Sequence, residues 1–195
     1  MQQRNLKDLT DEGLILEFQN NNTVEAFEIL MQRYKNPLMN YAYRFLGDYE
    51  ICTDIVEETF IRLFRYKNHY SSIAKFSTWI YTIAGNLART EYRKRRKRKI
   101  LSIERLGEED DQFDIPDERY RPDIVTDRDI NEKIIQNALL KVSDTYREAV
   151  ILRDIQGLSY EEIAEITKTN EGTIKSRINR GRAQLQKLLK GIYKE

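Results

Sequence analysis

Apolar side chains recur at helical spacing through both ends of this chain and lose that spacing between Leu101 and Thr126, and this interruption constrains the fold more than any other feature. Leu14, Ile15 and Phe18, then Ala26, Phe27, Leu30, Met31 and Tyr34, follow the i, i+3, i+4, i+7 rule that puts apolar groups on one face of an α-helix. Ile51, Ile55, Phe60, Leu63 and Phe64 repeat it, as do Trp79, Ile80, Ile83, Ala84 and Leu87, and beyond the interruption Ile130, Ile134, Ile135 and Leu139. With 8 Gly and 3 Pro in 195 residues, little else competes with helix. Asn36-Pro37 is expected to kink or divide the second segment, because Pro lacks an amide proton and clashes with the preceding turn. Gly47-Asp48 and the polar stretch Lys67 to Lys75 mark further breaks. In the interruption, Gly107, Pro116 and Pro122 sit among carboxylates, a composition that buries little. The pattern predicts an all-α chain: a helical domain over 1–100, an extended acidic linker over 101–128, and a second small helical domain over 129–195.

The second domain carries its own punctuation. Thr145 with Glu148, and Ser159 with Glu162, have the spacing of a capping box, in which each side chain satisfies the other residue's backbone amide, and Gly157 ends the helix between them. The segment 159–182 reads as a helix-turn-helix: Ser159 to Thr167, a turn of Lys168, Thr169 and Asn170, and a second helix from Glu171 to Arg182. At about 100° per residue, Ile174, Ile178, Gly181 and Leu185 fall on one side of that helix, and Thr173, Ser176, Asn179 and Arg180 lie opposite. Lys175, Arg177 and Arg182 lie on the flanks, placed for phosphates when such a helix enters a major groove. Arg pairs bidentately with guanine, and Ser, Thr and Asn bond base edges or phosphate, so the outward residue types suit DNA.

The formal net charge of +1 argues against a nucleic-acid binder only as a total. Residues 1–60 carry −6, 61–88 carry +4, 89–99 carry +7, 104–123 carry −6, 124–167 carry −4 and 168–195 carry +6. The two most basic blocks are the tract Arg93-Lys94-Arg95-Arg96-Lys97-Arg98-Lys99 and the helix-turn-helix end. One cysteine, Cys52, and one histidine, His69, exclude an intrachain disulfide and a Cys/His zinc site, and with no triad or phosphate-cradling glycine loop an enzyme is disfavoured and no cofactor is expected. No signal peptide is read at the start, and no apolar run approaches the ~18 residues of a membrane span. A cytoplasmic protein without membrane insertion is expected.

Two stretches resemble a known family. Asp54-Ile-Val-Glu-Glu-Thr-Phe-Ile-Arg-Leu-Phe64, followed by Phe76-Ser-Thr-Trp-Ile-Tyr-Thr-Ile-Ala-Gly-Asn-Leu87 and the basic run, is similar to regions 2.2 to 2.4 of extracytoplasmic-function RNA polymerase sigma factors. Leu158-Ser-Tyr-Glu-Glu-Ile-Ala-Glu-Ile166 with Gly172-Thr-Ile-Lys-Ser-Arg-Ile178 resembles region 4.2 of the same family. The resemblance implies a bacterial, non-catalytic subunit, a monomer when free, that joins core RNA polymerase, recognises the minus-ten and minus-thirty-five promoter elements and helps open the duplex. It implies that Asp54, Glu57 and Glu58, within a core-binding stretch of about 54–67, meet the clamp of the largest polymerase subunit; Glu57 stands where the family commonly has Gln.

By the same resemblance, residues 66–99 engage the minus-ten element. Tyr66, Tyr70 and Tyr81 are the candidate stacking aromatics, worth ~1–3 kcal/mol per stacked base. Asn86 is the candidate polar contact, and Arg93, Arg95 and Arg96 grip phosphate. Trp79 is assigned to the core. Thr173, Lys175, Ser176, Arg177, Asn179 and Arg180 become the minus-thirty-five readers. The linker's 26 or so residues reach ~85 Å when extended, enough for elements two helical turns of DNA apart, ~70 Å. Its carboxylates suit a basic channel, and many relatives are held by an anti-sigma factor. Two other readings remain at this point: a stand-alone helix-turn-helix regulator binding operator DNA as a dimer, and a helical adaptor whose charge blocks serve protein contacts.

Overall fold

Leu14, Ile15 and Phe18 turn fully inward from α1 (Asp11–Asn21), whose start is held by Thr10 accepting from the Gly13 amide at 3.2 Å. A computed structural model describes residues 5–71, 73–106 and 127–190, all helix and connecting turns among the described residues. α1 ends at Asn22 in the left-handed region (φ 53°), and α2 (Val24–Leu46) follows as one uninterrupted helix. Of the two outcomes expected at Pro37, division of the helix does not occur. Ala26, Ile29 and Leu30 before it and Leu38, Tyr41, Ala42 and Phe45 after it continue one buried face, and packing on both sides offsets the ~3 kcal/mol that an interior Pro costs.

Gly47, at φ 75°, closes α2 by donating its amide to the Tyr43 carbonyl at 2.8 Å, and Asp48 then caps α3 (Tyr49–Tyr66) through the Ile51 amide at 3.2 Å. The Gly47-Asp48 break therefore forms as two complementary helix ends meeting at one corner. After a short 3₁₀ turn at Lys67–His69, α4 (Phe76–Leu106) starts against α1: Glu12 Oε1 accepts from the Phe76 amide at 3.0 Å. A carboxylate at a helix N-terminus satisfies an orphan amide and opposes the helix dipole. Phe76, Thr78, Ile80 and Ala84 are buried, whereas the basic tract is mostly exposed. Trp79 packs partly buried against the core, beside Tyr70 and Phe76.

The linker expected over 101–128 falls largely on 107–126, which lie outside the described residues. α4 extends to Leu106 and α5 (Asp127–Lys141) starts the second unit. α6 (Asp144–Val150) passes into a single π-helical turn (Ile151–Ile155), and Gly157 follows at φ 74°. The N-cap of α6 is Ser143, so the expected Thr145 and Glu148 capping box does not form. Glu148 is instead buried, accepting from the Tyr41 hydroxyl at 2.8 Å and from Arg89 at 2.5 Å, and these two donors outcompete a local amide.

The capping box at Ser159 and Glu162 does form and starts α7 (Tyr160–Thr167), and Lys168 to Asn170 turn the chain into α8 (Glu171–Lys190). Ile163 and Ile166 of α7 and Ile174 and Ile178 of α8 are buried with Ile151 and Leu152. Their cluster is continuous with the core of the first unit, because α7 lies on α4 while α5 and the π turn lie on α2.

Candidate nucleic-acid and polymerase interface

α8 is fixed by its inner face. Ile174, Ile178 and Gly181 are buried and Leu185 is partly buried. A Cβ on Gly181 would stand 2.5 Å from Val150 Cγ2 and 3.0 Å from the Tyr146 carbonyl oxygen, so α6 and α8 cross at a point that only glycine fits. The outer face is open: Lys175, Ser176, Asn179 and Arg180 are exposed, and Thr173 and Arg177 are half-buried. Ser176 Oγ donates to the Thr173 carbonyl at 2.8 Å, Arg177 reaches Thr169 Oγ1 at 3.3 Å, and Arg180 donates to the Tyr146 hydroxyl at 3.2 Å. Those neutral partners leave the guanidinium charge of Arg180 uncompensated by them. Arg182 differs, because Asp154 accepts both its Nε at 2.9 Å and its Nη2 at 2.5 Å. The six residues expected to read DNA from this helix thus share one surface, and Arg182 is tied to its own fold.

The minus-ten candidates are split. Asn86, Arg93 and Arg96 are exposed along α4, and Tyr66 is half exposed beside His69. Tyr70 and Tyr81 are only 6% and 4% exposed. The Tyr70 hydroxyl donates to the Ala74 carbonyl at 2.8 Å, and that of Tyr81 donates to Gln156 Oε1 at 2.6 Å, across to the second unit. Burial pushes the Tyr81 hydroxyl well above its ordinary range. Arg95 turns back to Asp48 at 3.0 Å, bracing the corner between α2 and α3. Helical periodicity alone does not separate these residues from their exposed neighbours, since the partners of Tyr81 and Arg95 lie 75 and 47 positions away and Tyr70 is covered by Phe76 and Trp79 beyond the end of its helix.

On α3, Asp54 and Glu57 are exposed, and Glu58 is half-buried with Arg62 Nε bonded to it at 2.7 Å. The same strip carries two residues that the sequence pattern assigns to the core or passes over. Phe64 is 48% exposed and Ile61 44%. Phe64 rests one edge on Phe18 and Phe27, with centroids 5.3 and 5.4 Å away, and offers the rest to solvent. The surface is therefore an acidic ridge with apolar ground beside it. No helix among the described residues is long and apolar enough to cross a membrane.

Comparison with known proteins joins the two faces. The family model described as "Sigma-70 region 2" matches residues 30–98, and that described as "Sigma-70, region 4" matches 132–185. The ECF RNA polymerase sigma factor SigW of Bacillus subtilis is 35% identical over 172 residues, covering 86% of this chain and 91% of that one. This chain belongs to the extracytoplasmic-function sigma factors. The ECF RNA polymerase sigma-E factor of Haemophilus influenzae is 30% identical over 181 residues, covering 91% and 94% of the two chains. Among solved structures, the sigma factor RpoE, in complex with the anti-sigma factor NepR from Bartonella quintana, superposes with a TM-score of 0.67 at 27% identity over 84% of this chain and 96% of that one. CnrH, solved with the cytosolic domain of CnrY, shares the fold with a TM-score of 0.70 at 22% identity, covering 93% of this chain and 97% of that one.

As a sigma factor, the protein serves promoter recognition by RNA polymerase. The operator-binding regulator is set aside, because a helix-turn-helix alone does not account for region 2 in the same chain.

Proposed function

We propose that this sigma factor docks on the clamp of the largest subunit of core RNA polymerase through Asp54, Glu57 and Glu58 of α3, with Ile61 and Phe64 supplying apolar contact beside the charges. Carboxylates facing a basic clamp steer the encounter, and half-exposed apolar groups supply desolvated area. α4 then takes the minus-ten element, as duplex and then as single strands, with Asn86 at base edges and Arg93 and Arg96 on phosphate. Tyr66 is the aromatic already at the surface, and Tyr70 and Tyr81 join it only once their hydroxyls leave Ala74 and Gln156. α8 reads the minus-thirty-five element through Thr173, Lys175, Ser176, Arg177, Asn179 and Arg180.

The observation that carries this reading is the two-sidedness of α8. Its inner face is locked by Gly181 against α6, and its outer face holds cations, hydroxyls and one amide with no apolar member among the six named residues. We further infer that the protein works in the bacterial cytoplasm as a non-catalytic subunit, is a monomer when free, and is held by an anti-sigma factor, as RpoE is captured with NepR.

Run-off transcription with purified core polymerase on fragments of the source genome tests the reading. Discrete transcripts that require the protein are the expected result. A protein that fails to bind core yet footprints duplex DNA unaided ends it.

A further inference from the structure

A single 3₁₀ turn has too few bonds of its own to fix the direction of its side chains. The turn Lys67–His69 closes through the Tyr70 amide, which donates to the Lys67 carbonyl at 3.1 Å, and α1 supplies the rest. Gln19 Nε2 donates to the Lys67 carbonyl at 2.6 Å and to the Tyr70 carbonyl at 3.0 Å, so one side-chain amide spans the turn from end to end. In return Lys67 Nζ donates to the Phe18 carbonyl at 2.8 Å and to Asn22 Oδ1 at 2.5 Å, and lies 3.9 Å from the centre of the Phe18 ring. Phe18 stands in the last turn of α1, where carbonyls lack helical partners and a cation is favoured. Gln19 and Lys67 thus hold each other's backbone.

This brace decides what the turn shows to solvent. At three residues per turn, 67 and 70 share one side and 66 and 69 the other. Lys67 is drawn in to α1, and Tyr70 to Phe76 and Trp79. Tyr66 and His69 are left exposed, ring beside ring, with centroids 5.6 Å apart and planes at 47°. The stretch 61–88 in which they stand holds four cations and no carboxylate, so it does not repel a phosphate backbone. The two rings form a shallow V, in which a base stacks on one and turns its edge to the other. Every base has such a face, and a base reaches these rings only after leaving the duplex. Because the turn is ordered beforehand, little freedom is lost when the base arrives.

We propose that Tyr66 and His69 form a two-ring platform for an unpaired base of the opened promoter strand, and that Gln19 and Lys67 are the positioning pair that presents it. The platform rests on the promoter reading above. It adds a second aromatic to Tyr66, and it assigns Lys67, a cation within a basic stretch, to the fold rather than to DNA.

Holoenzyme assembled from core polymerase and the full-length protein is titrated with a single-stranded oligonucleotide carrying the minus-ten sequence of a promoter located by run-off transcription. One base at a time is replaced by 2-aminopurine, whose fluorescence falls when it stacks. Tyr66→Ala and His69→Ala are each expected to weaken binding by ~5-fold or more and to abolish the quenching at one position, as loss of a stacked base does. His69→Phe, which keeps a ring, should recover most of the loss. Asn68→Ala, at an exposed neighbour on the same turn, should bind as wild type does. Gln19→Glu is isosteric but turns an acceptor toward the two carbonyls, so it should release the turn and weaken binding by a similar factor. With the turn released, His69→Ala has little left to remove: the double variant should bind little worse than His69→Ala alone, a coupling that general loss of stability does not produce. Thermal melts and capture of core confirm that each variant is folded. Should Gln19→Glu not fold, Lys67→Met, which keeps the stem over Phe18 and loses the ammonium, carries the cycle. Wild-type binding and quenching by His69→Ala, in a holoenzyme that starts transcripts, overturns the platform and leaves the promoter reading standing. Additive losses in the double variant overturn the positioning pair. A wild-type holoenzyme that takes up no oligonucleotide and starts no transcript overturns the promoter reading, and the platform with it.

Discussion

Ser159 and Glu162 bond each other twice. Glu162 Oε2 accepts from the Ser159 amide at 2.8 Å, and Ser159 Oγ accepts from the Glu162 amide at 3.2 Å. The other carboxylate oxygen of Glu162 accepts from Ser77 on α4, so one side chain both starts the helix-turn-helix and anchors it to the first unit. Ser159→Ala removes the cap alone and is expected to cost ~0.5–2 kcal/mol. Urea unfolding followed by circular dichroism measures it, and Ser159→Asp, which restores an acceptor, should recover most of the loss.

The glycine at the α6 and α8 crossing gives a steric prediction. In Gly181→Ala the new methyl would meet Val150 Cγ2 at 2.5 Å and a backbone oxygen at 3.0 Å. Backbone does not yield as a flexible side chain does, so the crossing must widen, at ~1–3 kcal/mol. Thermal melts should show the loss. Gly172→Ala, whose Cβ would meet only Asn170 Oδ1 at 3.5 Å, should cost less and serves as the control.

These two sites show where the sequence was readable. Ser159 and Glu162 are three residues apart, and Gly181 follows Ile174 and Ile178 on one helical stripe, so local spacing is enough to place both. Pro37 leaves α2 undivided because its tolerance depends on an apolar face that continues for two turns either side, and Glu148 leaves the local capping box because its partners, Tyr41 and Arg89, lie 107 and 59 positions away. A capping-box spacing is a necessary condition for the bond, and a stronger long-range donor overrides it. The inward turns of Tyr81 and Arg95 have the same cause, with partners 75 and 47 positions away, whereas Tyr70 turns in on Ala74, four residues on: residue type and period show what a side chain can bond, and the partner decides which way it turns.

Acid should act oppositely on Glu148 and Glu162. Burial pushes the Glu148 carboxyl up, against the opposing pull of Arg89, Tyr41 and the more distant Arg177. The folded state therefore binds this proton more readily than the unfolded chain. Its contribution to stability improves as pH falls through the raised value toward the ordinary carboxylate range near ~4.3. For Glu162 burial also pushes up, but the Ser159 amide, Lys75 and Ser77 outweigh it and the carboxyl ends lowered. Its stabilisation is complete above the unfolded value and is lost as pH falls through the folded one. Unfolding free energies of wild type, Glu148→Gln and Glu162→Gln from pH 7.5 down to pH 4 check the signs. Relative to wild type, Glu148→Gln should look progressively worse on acidification, and Glu162→Gln progressively less harmful.

On the polymerase-facing strip, the carboxylates should not count equally. Glu58 already holds Arg62 at 2.7 Å, whereas Asp54 and Glu57 are exposed. Asp54→Ala with Glu57→Ala is expected to weaken capture of core polymerase more than Glu58→Ala, and more strongly at low salt, where exposed charges are least screened. Phe64→Ala should weaken capture at all salt concentrations, since its contribution is apolar area. Equal binding by all four proteins in a pull-down would show that this strip is merely solvated.

Arg180 and Arg182 are two positions apart on α8 and should behave differently on DNA. Arg182 is held by both oxygens of Asp154, so reaching a phosphate means breaking a bidentate ion pair within its own fold. Arg180 is exposed and donates to a neutral hydroxyl, that of Tyr146, and so can turn to a base edge at little expense. Arg180→Ala is expected to weaken use of the upstream element by ~1–3 kcal/mol and to relax preference at one base pair, the signature of a bidentate guanine contact. Lys175→Ala should weaken all upstream sequences alike and lower the salt slope by ~1, as loss of a phosphate contact does. Arg182→Ala should instead lower the melting temperature and leave base preference unchanged. Promoter strength measured across single-base variants of the upstream element, at two salt concentrations, separates the three. An Arg180→Ala protein with unaltered base preference removes Arg180 from the readers and leaves it as a surface cation.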